Sequence, residues 1–217
     1  MNPRTPNVMI TLTPITEPVK LEEYFRFRYR IYSESRQAGF LNGSSDGLDV
    51  DTFDARALHF GWYLNDVLEG CIRFVQPDGS TTPLPMLTHI TEPKARAAVL
   101  AYIDERWRMG QHMVGASRFC LAPEHRGLRT AKAFVLAMLQ AMLPYRVQHG
   151  LFDCDVRHGR FYKALGFEPL TCCEHIPSSS MSNPKCVMHY DLRRMLTVNA
   201  ELRESMGFIR GKVRQAA

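Results

Sequence analysis

The densest run of groups suited to chemistry is 115–133, GASRFCLAPEHRGLRTAKA. It reads as an apolar strand ending at Cys120 and Leu121, a basic turn carrying Arg126, Gly127 and Arg129, and then a helix. Amide N–H groups at a helix start have no intrahelical acceptor, and two guanidinium groups beside them suit a phosphate or pyrophosphate. The same residues also fit an ordinary strand-to-helix connection with solvated arginines. A second run, DGLDVDTFDA, brings Asp46, Asp49, Asp51 and Asp54 into a segment with no helical or strand period. Carboxylates grouped in this way can bind or deprotonate an amine, or can simply be solvated in a loop. A calcium loop is discounted, because the EF-hand spacing and its terminal glutamate are absent.

These runs need elements to hold them. A short β-like run is expected at 8–13, and Thr16 with Glu17 and Pro18 should open a helix over 19–36. One face of that helix carries Leu21, Tyr24, Phe25, Arg28, Ile31 and Tyr32, which embeds an arginine in an apolar and aromatic stripe. LHFGWYL and LEGCIRFV, separated by Asn65, Asp66 and Val67, predict a hairpin. A second helix should run from Thr91 and Pro93 to about Gly110, with Val99, Leu100, Ile103 and Trp107 toward the core. After the strand at 112–121 comes the clearest helix, in which Phe134, Val135, Met138, Leu139 and Met142 recur at helical spacing until Pro144 ends it. Strands are expected at 151–156, 167–173 and 186–192, a short helix at 158–165 closed by Gly166, and an exposed terminal helix at 199–214. A β-rich sheet decorated by helices, with a helical crossover in its second half, is an α/β sandwich.

A chain of 217 residues suits one domain, 1–217, with 193–217 as an exposed extension. The formal charge of +5 comes from 27 basic and 22 acidic residues without lysine-rich blocks, which argues against a nucleic-acid arm and fits an acidic protein or a phosphorylated ligand. No stretch has the length and apolarity of a membrane span or a signal segment, so a soluble cytoplasmic protein is expected. The six cysteines lie mostly in apolar runs, as reduced thiols do. Cys172, Cys173, His175, Cys186 and His189 lack the CxxC pairs of zinc sites, so no metal is expected.

The pair SRFCLAPEHRGLRTAKAF and, further on, FYKALGFEPL resembles the acyl-binding core of the GNAT acyltransferase superfamily. Arg28 with Tyr32, DVDTFD over 49–54, GCIRF around Arg73, PML over 85–87 and SRF over 117–119 follow the order of the acyl-homoserine-lactone synthases and the related N-acyl amino acid synthases. The resemblance spans 24–170. It implies an α/β, GNAT-like, mixed and mostly antiparallel sheet flanked by helices. It implies an enzyme that moves a fatty acyl group from acyl carrier protein, or from coenzyme A, to a primary amine, with no tightly bound cofactor. The acceptor is S-adenosylmethionine in the lactone synthases, which serve quorum sensing, and a free amino acid in the others.

Carried over by position, Arg28, Asp51, Asp54, Arg73 and Arg118 organise the polar site, and Asp49 falls where the lactone synthases place a proposed base. Tyr162 falls where a tyrosine often protonates the departing thiolate. A phenol, titrating near pH 10, stays protonated until charge develops on sulfur. Backbone around Phe119, Cys120 and Leu121 would hold the thioester oxygen. The turn from Arg126 through Gly127, Arg129 and Thr130 to Ala131 would hold the donor's phosphate. The departures are Phe40 for a tryptophan, Gly115 for a glutamate, and Arg129 for the middle glycine of the phosphate loop. A bulky cation there hinders a wrapped pyrophosphate more than the single phosphate of a carrier protein's arm. A generic acetyl-coenzyme A enzyme and a non-catalytic acyl-carrier binder stay open as alternatives.

Overall fold

The computed structural model describes residues 10–35, 38, 41, 46–77, 83–177, 183–198 and 200. The helix and strand order is β1 (Thr13–Pro14), α1 (Pro18–Ser33), β2 (Ala57–Leu64), β3 (Val67–Val75), α2 (Pro93–Arg108), β4 (Met113–Leu121), α3 (Leu128–Ala141), β5 (His149–Asp155), α4 (Gly159–Ala164), β6 (Glu168–Pro169), β7 (Lys185–Asp191) and α5 (Leu192–Val198). Helices α1 and α2 both begin at a proline, whose fixed φ and missing N–H suit the first helical position. The residue before each proline is therefore the cap, Glu17 and Glu92, one place after the threonines the sequence suggested; the Glu92 carboxylate accepts from the N–H groups of Lys94 and Ala95. Asn65 and Asp66, at φ 50° and 63°, make the two-residue turn that joins β2 to β3.

The strands form one sheet in the order β1-β2-β3-β4-β5-β7-β6. Every neighbouring pair is antiparallel except β4 and β5, which are parallel and linked through α3. This mixed, mostly antiparallel sheet with flanking helices is the GNAT-like α/β fold that the sequence implied. The β4–β5 ladder holds only at Met113↔His149, Val114↔Gly150 and Gly115↔Leu151, after which the two strands part.

Side-chain alternation divides the core into layers. On one face α3 packs Phe134, Val135 and Met138 against Ile72, Phe74 and Phe152. Each such fully buried side chain contributes about 1.5–3 kcal/mol relative to exposure. On the other face α2 packs Val99 and Ile103 against Val75, Leu151 and Val187, and α1 packs Tyr24, Phe27 and Ile31 against Cys71 and Cys120.

Three expectations change. Trp107 is 55% exposed, because it lies beyond the α2 face that meets the sheet. The strand expected over 167–173 shrinks to Glu168–Pro169, since Pro169 lacks an N–H and Cys172 turns the chain at φ 65°. Pairing near the N-terminus occurs at Thr13–Pro14, and residues 8 and 9, Phe40 and the helix expected over 199–214 lie outside the described residues, apart from residue 200. Among the described residues no helix is long and apolar enough to cross a membrane.

Candidate active site

The acidic run and the scattered arginines meet on the α1 side of the sheet. Residues 46–56 lie along α1, tied by the Asp49 N–H to the Phe25 carbonyl at 3.2 Å, and a single 3-10 turn, Asp54–Arg56, ends the segment. Arg28, fully buried beneath Tyr24 and Phe25, donates from Nε to Asp49 Oδ2 at 2.8 Å and from Nη1 to Asp54 Oδ1 at 2.7 Å. Arg73 of β3 donates from Nη1 to Asp51 Oδ1 at 2.6 Å and to Asp54 Oδ1 at 2.9 Å, and from Nε to Ser117 Oγ at 3.0 Å. Arg118 closes the network on both Asp49 oxygens, at 2.7 and 3.0 Å.

Three guanidinium groups thus face three carboxylates. Burial alone would raise the Asp54 carboxyl, but Arg28 and Arg73 outweigh it and hold it below the ordinary carboxylate range. His59, whose Nε2 lies 3.2 Å from the Asp54 carbonyl, is pushed down by burial and so is neutral at physiological pH.

Arg118 reaches this network because β4 is bulged. Ser117 pairs with Arg73 and Cys120 with Cys71, so Arg118 and Phe119 together oppose Ile72 alone, and Arg118 takes φ 56°. The extra residue turns Ser117 and Arg118 to the α1 face and Phe119 to the α3 face, where its ring stacks on Phe134 at 4.7 Å. Cys120 then points back among the α1 contacts. A neighbouring position is crowded by a side chain: a Cβ on Gly115 would stand 2.8 Å from a Leu84 methyl, which fills that space.

A cavity of about 1310 Å³ occupies the gap where β4 and β5 part. Its α1 and α2 side is polar, with Asp51, Arg73, Ser117 and Arg118. Its α3 side is apolar, with Phe119, Val135, Met138, Phe152 and Phe161. Tyr162 stands in that wall against Phe152, at 4.6 Å between rings, and burial raises its hydroxyl well above the usual phenol range, so the proton stays on. Arg126, Gly127 and Leu128 also line it, and Arg126 donates to the Leu121 carbonyl at 3.3 Å.

Of the residues picked from sequence, Asp51, Arg73, Arg118, Phe119, Leu121, Arg126, Gly127, Ala131 and Tyr162 border the cavity. Arg28, Asp49 and Asp54 stand behind it as supports, Cys120 faces away, and Arg129 and Thr130 lie outside its wall, Arg129 exposed on the first turn of α3. The sequence reading missed a second polar group in the same wall, His89, Asp153 and Lys185, from the end of the 3-10 turn Pro85–Thr88, from β5 and from β7. Lys185 Nζ lies 2.6 Å from Asp153 Oδ2 and 3.0 Å from His89 Nε2, which is itself 3.0 Å from Asp153 Oδ2. The signal available was the alternation in LFDCDV, which places Asp153 on the face of Leu151, but nothing local ties it to a lysine 32 residues on.

A family profile described as N-acyl amino acid synthase FeeM matches residues 23–191. Among solved structures, FeeM, an N-acyl amino acid synthase from uncultured soil microbes, superimposes with a TM-score of 0.58 at 17% identity, over 87% of this chain and 93% of its own. MesI, a CoA-dependent acyl-homoserine lactone synthase, gives 0.64 at 20% identity over 91% and 95%. The AHL synthase LasI gives 0.63 at 15% over 86% and 91%. No curated protein matches the sequence significantly.

Proposed function

Because the chain belongs to the N-acyl amino acid synthase FeeM family, it is an acyltransferase that places an acyl group on an amine, and we propose that it takes a fatty acyl thioester and a primary amine of amino-acid type. The observation that carries the proposal is the two-sided cavity in the β4–β5 gap, apolar toward α3 and polar toward α1 and α2. A long acyl chain suits the first side and a charged acceptor the second. The whole chain, 1–217, is read as a single acyltransferase domain.

In this reading the donor's phosphate rests at the start of α3, where the first-turn N–H groups have no intrahelical acceptor and Arg126 adds a cation. Backbone N–H groups of β4 around Phe119, Cys120 and Leu121 receive the thioester oxygen as it gains charge. The amine nitrogen bonds to the carbonyl carbon, the C–S bond breaks, Tyr162 gives its proton to the leaving thiolate, and the proton that the nitrogen sheds on becoming an amide restores the phenol. The nitrogen must arrive without its extra proton. Asp51 borders the cavity while Asp49 stands behind it, so Asp51 is the better partner for the incoming ammonium. Arg28, Arg73 and Arg118 hold the acidic segment in place, with Asp54 as their shared counter-ion.

Acyl carrier protein is the favoured donor. Arg126, Arg129, Arg160 and Lys163 are exposed on α3, α4 and the turn before α3, a basic rim suited to an acidic carrier, and Arg129 stands where a wrapped pyrophosphate would need a glycine. Coenzyme A is the competing donor, as in MesI. S-adenosylmethionine and free amino acids are the acceptors to compare.

Incubating the protein with acyl carrier protein or coenzyme A charged with graded chains, and with S-adenosylmethionine or single amino acids, should yield an N-acyl product by mass. Turnover with acetyl-coenzyme A and a polyamine alone would overturn this reading. So would tight acyl-carrier binding without loss of the thioester.

A further inference from the structure

We infer that His89, Asp153 and Lys185 form the subsite that receives the carboxylate of the acceptor; this rests on the acyl-to-amine reading above, whose donor half does not involve them. The placement comes first. Asp153 shares the face of Leu151, and Lys185 that of Val187, both of which pack toward α2. Arg73 and Ser117, register partners joined at 3.0 Å, lie on that same face. The cavity therefore has two polar patches on its acceptor side, one from β3 and β4 and one from β5 and β7, facing across the gap. An amine held at the first patch extends its remaining polar group toward the second.

The chemistry of the second patch fits an anion. Lys185 is the only lysine among the described residues of the cavity wall, and it is 4% exposed. Asp153 is kept ionised, since the hydrogen bond from His89 and the charge of Lys185 outweigh the burial that would raise its carboxyl. Asp153 therefore fixes a buried ammonium and an imidazole side by side in the wall. An arriving carboxylate meets the ammonium directly, with the imidazole held beside it. A free amino acid and S-adenosylmethionine both carry the required α-amine and α-carboxylate, whereas a polyamine carries neither carboxylate nor neutral replacement for it.

The test measures kcat/KM for each of the standard L-amino acids against its carboxamide, using acyl carrier protein charged with one chain length. The wild type should prefer the free acid by roughly 10- to 100-fold, mostly through KM. Lys185→Met should collapse that ratio toward one, and Lys185→Arg should keep most of it. Because Lys185→Met strands a buried carboxylate, the double variant Asp153→Asn/Lys185→Met is assayed alongside. A merely structural defect would lower both substrates alike and leave the ratio, and that result overturns the subsite. Equal use of acid and carboxamide by the wild type overturns it too, while acyl transfer itself persists. Absence of any acyl transfer to any amine marks failure of the functional reading, and the subsite falls with it. Release of methylthioadenosine with S-adenosylmethionine, against its absence with amino acids, separates the two sources of the carboxylate.

Discussion

Arg28→Met is the sharpest test of how the polar site is built. Methionine keeps much of the volume and removes only the charge and its donors, so cavity effects stay small. Arg28 is fully buried and spans Asp49 at 2.8 Å and Asp54 at 2.7 Å. Its loss leaves Asp54 on Arg73 and Asp49 on Arg118, with three carboxylates, two of them buried, against two guanidinium groups. Breaking one side of a buried pair costs about 3–5 kcal/mol, which in a domain of this size lowers Tm by roughly 6–20 °C. The pH dependence has a definite sign. Asp54 has a folded-state carboxyl held below its unfolded value, so the stability it supplies is present above about pH 4 and is lost as pH falls through the lower folded value. Without Arg28 the carboxyl is held down less, and protonating it relieves the stranded charge. Urea titrations of wild type and variant should therefore differ fully at pH 7 and converge below about pH 4. A gap under about 1 kcal/mol at pH 7, or one unchanged at pH 3, would refute the reasoning.

Other perturbations separate the parts of the site. Tyr162→Phe should lower kcat by about 10²–10⁴ with little change in either KM, because it removes a proton donor used only as the thiolate leaves; stopped thioester-consumption assays read this, and an unaltered kcat would exclude the role. Met138→Trp, filling the α3 side of the cavity, should move the preferred acyl chain to a shorter length in competition between mixed acyl donors, and an unshifted profile would place the chain elsewhere. Gly115→Ala should cost about 1–3 kcal/mol in chemical denaturation, since its Cβ meets Leu84 at 2.8 Å, and a neutral result would mean that Leu84 has another rotamer to take.

The sequence made much of this visible, and its failures have physical causes. The helix at Leu128–Ala141 and the hairpin of β2 and β3 were readable because their apolar periods and turn residues are local. Arg28 stood out as a charge in an aromatic stripe, and the structure shows why it is tolerated: its partners arrive from residues 49 and 54, over 20 positions away. The bulge at Arg118 left no mark in SRFCL, because it arises from pairing with β3, yet it decides which side chains face the polar side of the cavity and which the apolar side. The site residues expected at Cys120 and Arg129 point away from the cavity for the same kind of reason, strand parity in one case and helix phase in the other. His89, Asp153 and Lys185 come from three separate segments, and their meeting depends on β7 inserting beside β5.

The three-pair ladder between β4 and β5 has a mechanical consequence. Below Gly115 and Leu151 the sheet is in effect two leaves joined along a short seam, with main-chain groups on the facing edges that have lost their neighbour strand. A guest with amide groups of its own, laid into that seam, would act as a substitute strand and stitch the leaves together. Occupancy should then show as slowed amide exchange along 116–121 and 152–155, and as a stabilisation that grows with guest concentration, about 2.7 kcal/mol at one hundred times Kd, read as a higher melting temperature. The enzyme would be stiffest while loaded, and would loosen as its products depart.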